Sequence, residues 1–149
     1  MKKKLPYLPK SREILYVPSN NKFMMAAKKF AEENSQDSGF KTGAVIVKNG
    51  EIIGRGANGS GFHEKIGCVR KFFHAPTGKF YWLCPGCSPK NHAEQSAIRD
   101  ALKNKSPQPP LSRGSLQGCD LYLWGHWWCC QSCWEKMIEA GIRNVYLEG

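Results

Sequence analysis

Residues 41–56 read Lys41-Thr42-Gly43-Ala44-Val45-Ile46-Val47-Lys48-Asn49-Gly50-Glu51-Ile52-Ile53-Gly54-Arg55-Gly56. The run 44–47 is continuously apolar and does not alternate with polar residues, as a strand with one wet face would. It suits a strand buried on both sides, which requires structure above and below it. Asn49-Gly50 follows, a strong signal for a tight hairpin turn. Residues 51–56 then form the returning strand. A central hairpin covered on both faces is the frame into which the rest of the chain must fit.

Upstream, residues 21–36 read as a helix: Phe23, Ala27 and Phe30 fall at i, i+4 and i+7, and Ser19, Asn20 or Asn21 can cap it. Residues 1–20 are Pro-rich and basic, show no clear period, and are expected to form an N-terminal arm. Downstream, residues 58–90 contain Gly, Pro, Cys and aromatic residues with little periodicity. So long a stretch in a compact domain needs something to tie it down. A helix is expected over 92–105 with Asn91 as its cap, a surface loop over 106–118, a strand over 121–124, a helix over 130–140 ended by Gly141, and a last strand over 144–147. Strands alternating with helices in this half predict a mixed sheet with helices on its faces, an α/β fold. The chain of 149 residues is the size of one domain, expected over 21–149, and it has no internal repeat.

The composition narrows the function. Hydrophobic residues make up 41%, enough for a buried core, yet no run approaches the roughly 18 apolar residues of a membrane span. Pro6, Pro9, Lys10 and Arg12 interrupt any apolar core behind the basic N-terminus, so a soluble, cytoplasmic protein is expected. Seven cysteines, an odd number, without an export signal argue against a disulfide framework and for metal binding by the C-x-x-C pairs Cys84/Cys87 and Cys130/Cys133. The net charge of +10 favours anionic partners, either nucleotides or nucleic acid, although a solvated basic face is the plain alternative.

Two short motifs carry chemistry. Asn91-His92-Ala93-Glu94 opens one expected helix and Cys130-Gln131-Ser132-Cys133 opens another. Imidazole and thiolate are the ligands zinc prefers, and cysteines three apart at a helix start can face one point. The unpaired N–H groups there favour thiolate over thiol. Three protein ligands leave a fourth place for water, the mark of a catalytic rather than a structural zinc. Glu94 is then placed to move protons. A His, a non-ligating Glu and a C-x-x-C are together the zinc-deaminase signature. Taken singly, each part has a plainer reading: Asn91 and Glu94 fit a capping box, His92 fits a core or surface histidine, and a C-x-x-C fits a redox pair or zinc ribbon.

The stretches Thr42-Gly43-Ala44-Val45-Ile46-Val47, Ala57-Asn58-Gly59-Ser60, His92-Ala93-Glu94-Gln95-Ser96-Ala97 and Cys130-x-x-Cys133 with Ala140-Gly141-Ile142 resemble the deoxycytidylate deaminases over roughly residues 20–148. The His-Ala-Glu-Gln form is more similar to that family than to tRNA adenosine deaminases. The resemblance implies a cytidine-deaminase-like fold, a three-layer α/β/α arrangement with a central mixed sheet. It implies zinc held by His92, Cys130 and Cys133, with Glu94 catalytic. It also implies that Asn58 contacts the sugar, that the backbone around Ala93 reads the pyrimidine, and that the chain forms a homo-oligomer. The expected reaction is conversion of dCMP to dUMP, by attack of zinc-activated hydroxide at C4. His126, just ahead of the metal cysteines, is a candidate for the pocket wall or for a purely structural place. The chain departs from the family in having Cys129 where a proline is usual. Cys129 is therefore a rival ligand to Cys130, although Cys130 keeps the C-x-x-C spacing.

Cys84-Pro85-Gly86-Cys87 is similar to a zinc knuckle. With Cys68 and His63 it supplies four ligands for a second, structural zinc that would pin residues 58–90. His74 is a rival fourth ligand, and free thiols in an aromatic-rich loop are the plain alternative. Two other functions stay open at this stage: deamination of cytosine or adenine in single-stranded nucleic acid, and a non-catalytic zinc module that binds nucleic acid.

Overall fold

The computed structural model describes residues 4–36, 41–59, 74, 91–103 and 116–149. Its elements are β1 (Ile14–Val17), α1 (Lys22–Asn34), β2 (Gly43–Lys48), β3 (Glu51–Ala57), α2 (Ala93–Lys103), β4 (Asp120–Trp124), α3 (Gln131–Ala140) and β5 (Asn144–Glu148). The five strands form one mixed sheet in the order β1-β5-β4-β2-β3. β2 is antiparallel to both β3 and β4, whereas β5 runs parallel to β4 and β1.

The apolar run of β2 explains the layering. Ala44 and Ile46 point into one cluster with Ala93, Ala97 and Ala101 of α2 and Trp134 and Met137 of α3. Val45 and Val47 point into the other, with Met24 and Ala27 of α1. The sheet thus has α1 on one face and α2 and α3 on the other, the expected three-layer α/β/α arrangement. The hairpin turns through Asn49 at φ 52° and Gly50 at φ 79°, both positive as a primed turn needs. Opposite Ile46 and Val47 the register slips, leaving Ile53 as the extra residue of a bulge.

Two helix ends follow local chemistry directly. Asn21 caps α1, its Oδ1 accepting from the N–H groups of Phe23 and Met24 at 3.0 and 3.2 Å. Gly141, in the left-handed region at φ 93°, ends α3. α2, however, begins at Ala93, which puts His92 rather than Asn91 at the cap position. The Ser96 N–H donates to the His92 carbonyl at 3.0 Å, and the Asn91 carbonyl instead accepts from the Gly59 N–H at 3.1 Å. Glu94 is therefore the second helical residue, one place short of the capping-box register. The position of α2 is set from β3: a Cβ on Gly54 would lie 2.6 Å from the Ala97 oxygen and from the Ala101 Cβ, and one on Gly56 would collide with the Ala97 nitrogen and the Ala93 oxygen.

The arm expected over residues 1–20 is in part a strand. β1 pairs in parallel with β5, Ile14 opposite Val145 and Val17 opposite Glu148. Arg12 Nη1 fastens it by donating to the carbonyls of Ile142 and Arg143 at 2.8 and 3.2 Å. Only Ile14 of its four residues is buried, too little for a period to show. Among the described residues no helix is long and apolar enough to cross a membrane.

Candidate metal centre

The amino ends of α2 and α3 bring three donors together. Cys130 Sγ is 3.5 Å from His92 Nδ1, Cys133 Sγ is 3.3 Å from the same nitrogen, and the sulfurs are 3.2 Å apart. Among the described residues this trio forms a group of metal-ligating side chains converging on one point. A tetrahedral zinc with ordinary bond lengths needs sulfur–nitrogen separations of about 3.5 Å and a sulfur–sulfur separation of about 3.8 Å. The first is met, and the second requires the sulfurs to part by about half an ångström. Zinc fits this donor set.

The sequence folds this way for reasons already in its elements. Cys130 occupies the cap position of α3 in extended conformation, and its carbonyl accepts from the Trp134 N–H at 3.0 Å. Cys133 is one turn on, fully buried. The hydrogen bond from Cys133 holds the Cys130 thiol down to about 4, with burial opposing and His92 assisting. Cys133 is pushed up, first by its hydrogen bond with Cys130, then by burial and by the charge of Glu94, while Gln95 acts in the opposite direction. A divalent ion supplies the charge that lets both sulfurs ligate as thiolates.

Glu94 is almost wholly buried, at 4% exposure, and its charge is felt at both Cys133 and Cys129. Cys129 is also buried but stands outside the converging trio. Burial, followed by the charge of Glu94 and a hydrogen bond with it, pushes the Cys129 thiol well above its ordinary value.

The other expected residues lie as follows. Asn58, just past β3, is fixed by its side-chain oxygen, which accepts from Ser35 Oγ at 2.7 Å and the Thr42 N–H at 2.8 Å. Ala93 is the fully buried first residue of α2. His126 folds back on its own loop: its Nδ1 lies 2.6 Å from the Trp128 carbonyl oxygen and 3.3 Å from the Trp128 nitrogen. Trp128 and Trp134 are core residues, and Trp127 is 37% exposed. Of the second set, His63, Cys68, Cys84 and Cys87 lie outside the described residues. The rival His74 is described and exposed.

One residue of the centre was not singled out from the sequence. Gln95 Nε2 lies 3.7 Å from Cys133 Sγ and 3.3 Å from Ser132 Oγ. Its partners sit on another helix, so spacing along the chain gave no sign of it.

Residues 18–148 match the cytidine and deoxycytidylate deaminase zinc-binding region. The chain belongs to this deaminase family. ComE operon protein 2 of Bacillus subtilis (strain 168) is 29% identical over 130 residues, which make up 85% of this chain and 57% of that protein. The chain thus spans little more than half the length of that curated relative. The dCMP deaminase of cyanophage S-TIM5 is similar in structure, both in apo form (28% identity) and in complex with dCMP and dUMP (27%). The TM-score is 0.52 for each, over 84% of this chain and 78% and 76% of those chains. The family and the fold implied by the sequence motifs are thereby shown, and the zinc-binding region of the family contains the His92, Cys130 and Cys133 trio.

Proposed function

We propose that the protein hydrolyses the exocyclic amine of a cytosine nucleotide, dCMP being the first choice, to give dUMP and ammonia. The observation that carries this reading is the convergence of His92, Cys130 and Cys133 on one point with the buried Glu94 beside them. His92, Cys130 and Cys133 would hold the zinc. When bound, zinc supplies Lewis acidity that makes water a nucleophile at neutral pH. Glu94 takes one proton from the attacking water and delivers it to the ring nitrogen next to C4, which keeps it, and then carries the remaining hydroxyl proton to the departing amine. The C4–O bond forms first, as the double bond between C4 and the ring nitrogen opens; the exocyclic C4–N bond then breaks as the C4 carbonyl forms, and the amine leaves as ammonia. Ala93, at the start of α2, offers backbone to the base, and Asn58, its carboxamide fixed by Ser35 and Thr42, offers contact to the sugar.

The phage dCMP deaminase complex, which contains dCMP and dUMP, supports the choice of substrate. The net charge of +10 suits a phosphorylated substrate. A second reading, deamination within a single strand, is favoured by the same charge and by Trp127, exposed three residues before Cys130 in the sequence and able to stack on a base. We also place a second, structural zinc on His63, Cys68, Cys84 and Cys87, so that elemental analysis should return two zinc ions per chain, and we expect a homo-oligomer.

The test is ammonia release by the zinc-loaded chain from dCMP and from a cytosine-containing single-stranded oligonucleotide, with Glu94→Gln alongside. Turnover of dCMP, lowered about 10²- to 10⁴-fold in Glu94→Gln with zinc retained, is expected. Turnover of the oligonucleotide alone would transfer the assignment to the second reading. An active Glu94→Gln would remove Glu94 from the chemistry.

A further inference from the structure

We propose that Gln95 is a positioning residue of the metal centre: its side-chain amide donates one N–H to the Cys133 sulfur and the other to the Ser132 hydroxyl, tying α2 to α3 and tempering one thiolate. The inference rests on reading His92, Cys130 and Cys133 as zinc ligands.

The geometry is specific. Gln95 is the third residue of α2, next to Glu94, and only 7% exposed. A buried amide must place its N–H groups on acceptors. One nitrogen with two hydrogens faces two atoms, Ser132 Oγ at 3.3 Å and Cys133 Sγ at 3.7 Å. A metal-bound thiolate carries no hydrogen and can only accept, so the amide nitrogen rather than its oxygen must face Cys133. Ser132 and Cys133 are the second and third residues of α3. The single side chain therefore links the first turns of the two helices that hold all three donors.

The electrostatics give the contact a task. Neutral imidazole, two thiolates and a zinc ion sum to zero, and the adjacent Glu94 adds a negative charge that bears on Cys133. An N–H donor on that sulfur draws off electron density and opposes Glu94. Partners that orient and tune metal ligands in this way are worth about 10- to 100-fold in metal affinity.

The test uses the full chain and three variants, with zinc affinity and cobalt spectra read without substrate and dCMP turnover measured alongside. Zinc affinity is measured by competition with a chromophoric chelator, and the cobalt-substituted proteins are read by their thiolate-to-cobalt charge-transfer band. Gln95→Met, similar in length but without a donor, should lose about 10- to 100-fold in zinc affinity and move the band to longer wavelength, because an untempered thiolate gives up charge more readily. Gln95→Glu, the same size but anionic, should lose more, and it keeps the test intact if Gln95→Met fails to fold. Ser132→Ala should leave both readings at wild-type values, since the bond to Cys133 survives. Wild-type affinity and band in folded Gln95→Met or Gln95→Glu would overturn the proposal. So would Ser132→Ala reproducing the loss, which would make the contact only a brace between helices. A shifted band in an enzyme that does not turn over dCMP would keep the Gln95 assignment and remove the substrate reading. An unshifted band in an enzyme that does turn it over would do the opposite.

Discussion

Cys129 and Cys130 carry the same side chain one peptide apart, yet their surroundings give them different chemistry. Cys130 sits at the cap of α3, where the Cys133 hydrogen bond, with help from His92, holds it down to about 4. Cys129 is enclosed in the core, and burial together with the neighbouring Glu94 keeps it a thiol. A sulfur that faces an imidazole and a second sulfur can bind a dication together with them; one that stands outside their meeting point cannot. Cys130→Ala should therefore lose more than about 100-fold in zinc affinity, beyond what outer partners contribute, and turnover with it. Cys129→Ala should keep its zinc and cost about 1 kcal/mol of stability through the small void it leaves. Metal analysis after dialysis, paired with thermal melts, checks both. Zinc retained in Cys130→Ala and lost in Cys129→Ala would reverse the ligand assignment.

At the scale of elements, the centre depends on how closely α2 approaches β3. Gly54 and Gly56 present bare backbone to Ala93, Ala97 and Ala101, and this contact determines where the helix begins and where His92 and Glu94 point. Gly56→Ala puts a methyl against the helix backbone, which cannot yield without shifting the first turn. A cost of about 1–3 kcal/mol is expected, typical of overpacking, with weakened zinc binding, since His92 directly precedes the displaced turn. Urea melts of the apo chain and chelator competition measure the two effects, and unchanged values in both would show that the contact is loose. The same elements show what the sequence revealed. The doubly buried β2 and the Asn49-Gly50 turn were legible because each leaves a strong local mark, as were α1, α3, β4 and β5. The cap of α2 was not, because Asn91 resembles a cap in isolation and its carbonyl is drawn off by Gly59, a contact made only once β3 is in place. β1 was hidden for a related reason: four residues with one buried side chain give no period, and their pairing is with β5, far along the chain. Of the centre, His92, Cys130 and Cys133 were legible from donor type and spacing, but Gln95 was not, since its partners lie on a helix distant in sequence.

For the molecule as a whole, β1 poses a question that the family match sharpens. The matched region begins at residue 18, after β1, and all three zinc-ligand candidates lie downstream of it. Yet β1 closes one edge of the sheet. It covers β5, contributes Ile14 to the main core, and is pinned at both ends, by Arg12 on the carbonyls of Ile142 and Arg143 and by the Gly149 N–H on the Val17 carbonyl. Removing residues 1–17 would leave the β5 edge unpaired, and an exposed apolar edge invites pairing with another chain. Loss of the buried Ile14 alone costs about 2 kcal/mol, and at about 2–4 °C per kcal/mol for a chain of this size the melting temperature should fall by about 5–10 °C once the lost pairing is included. Zinc content should be unchanged, because no ligand rests on β1, while sedimentation should show new concentration-dependent association. A truncated chain that melts like the full one and stays in the same assembly state would mean that β1 is an ornament on a sheet already complete without it.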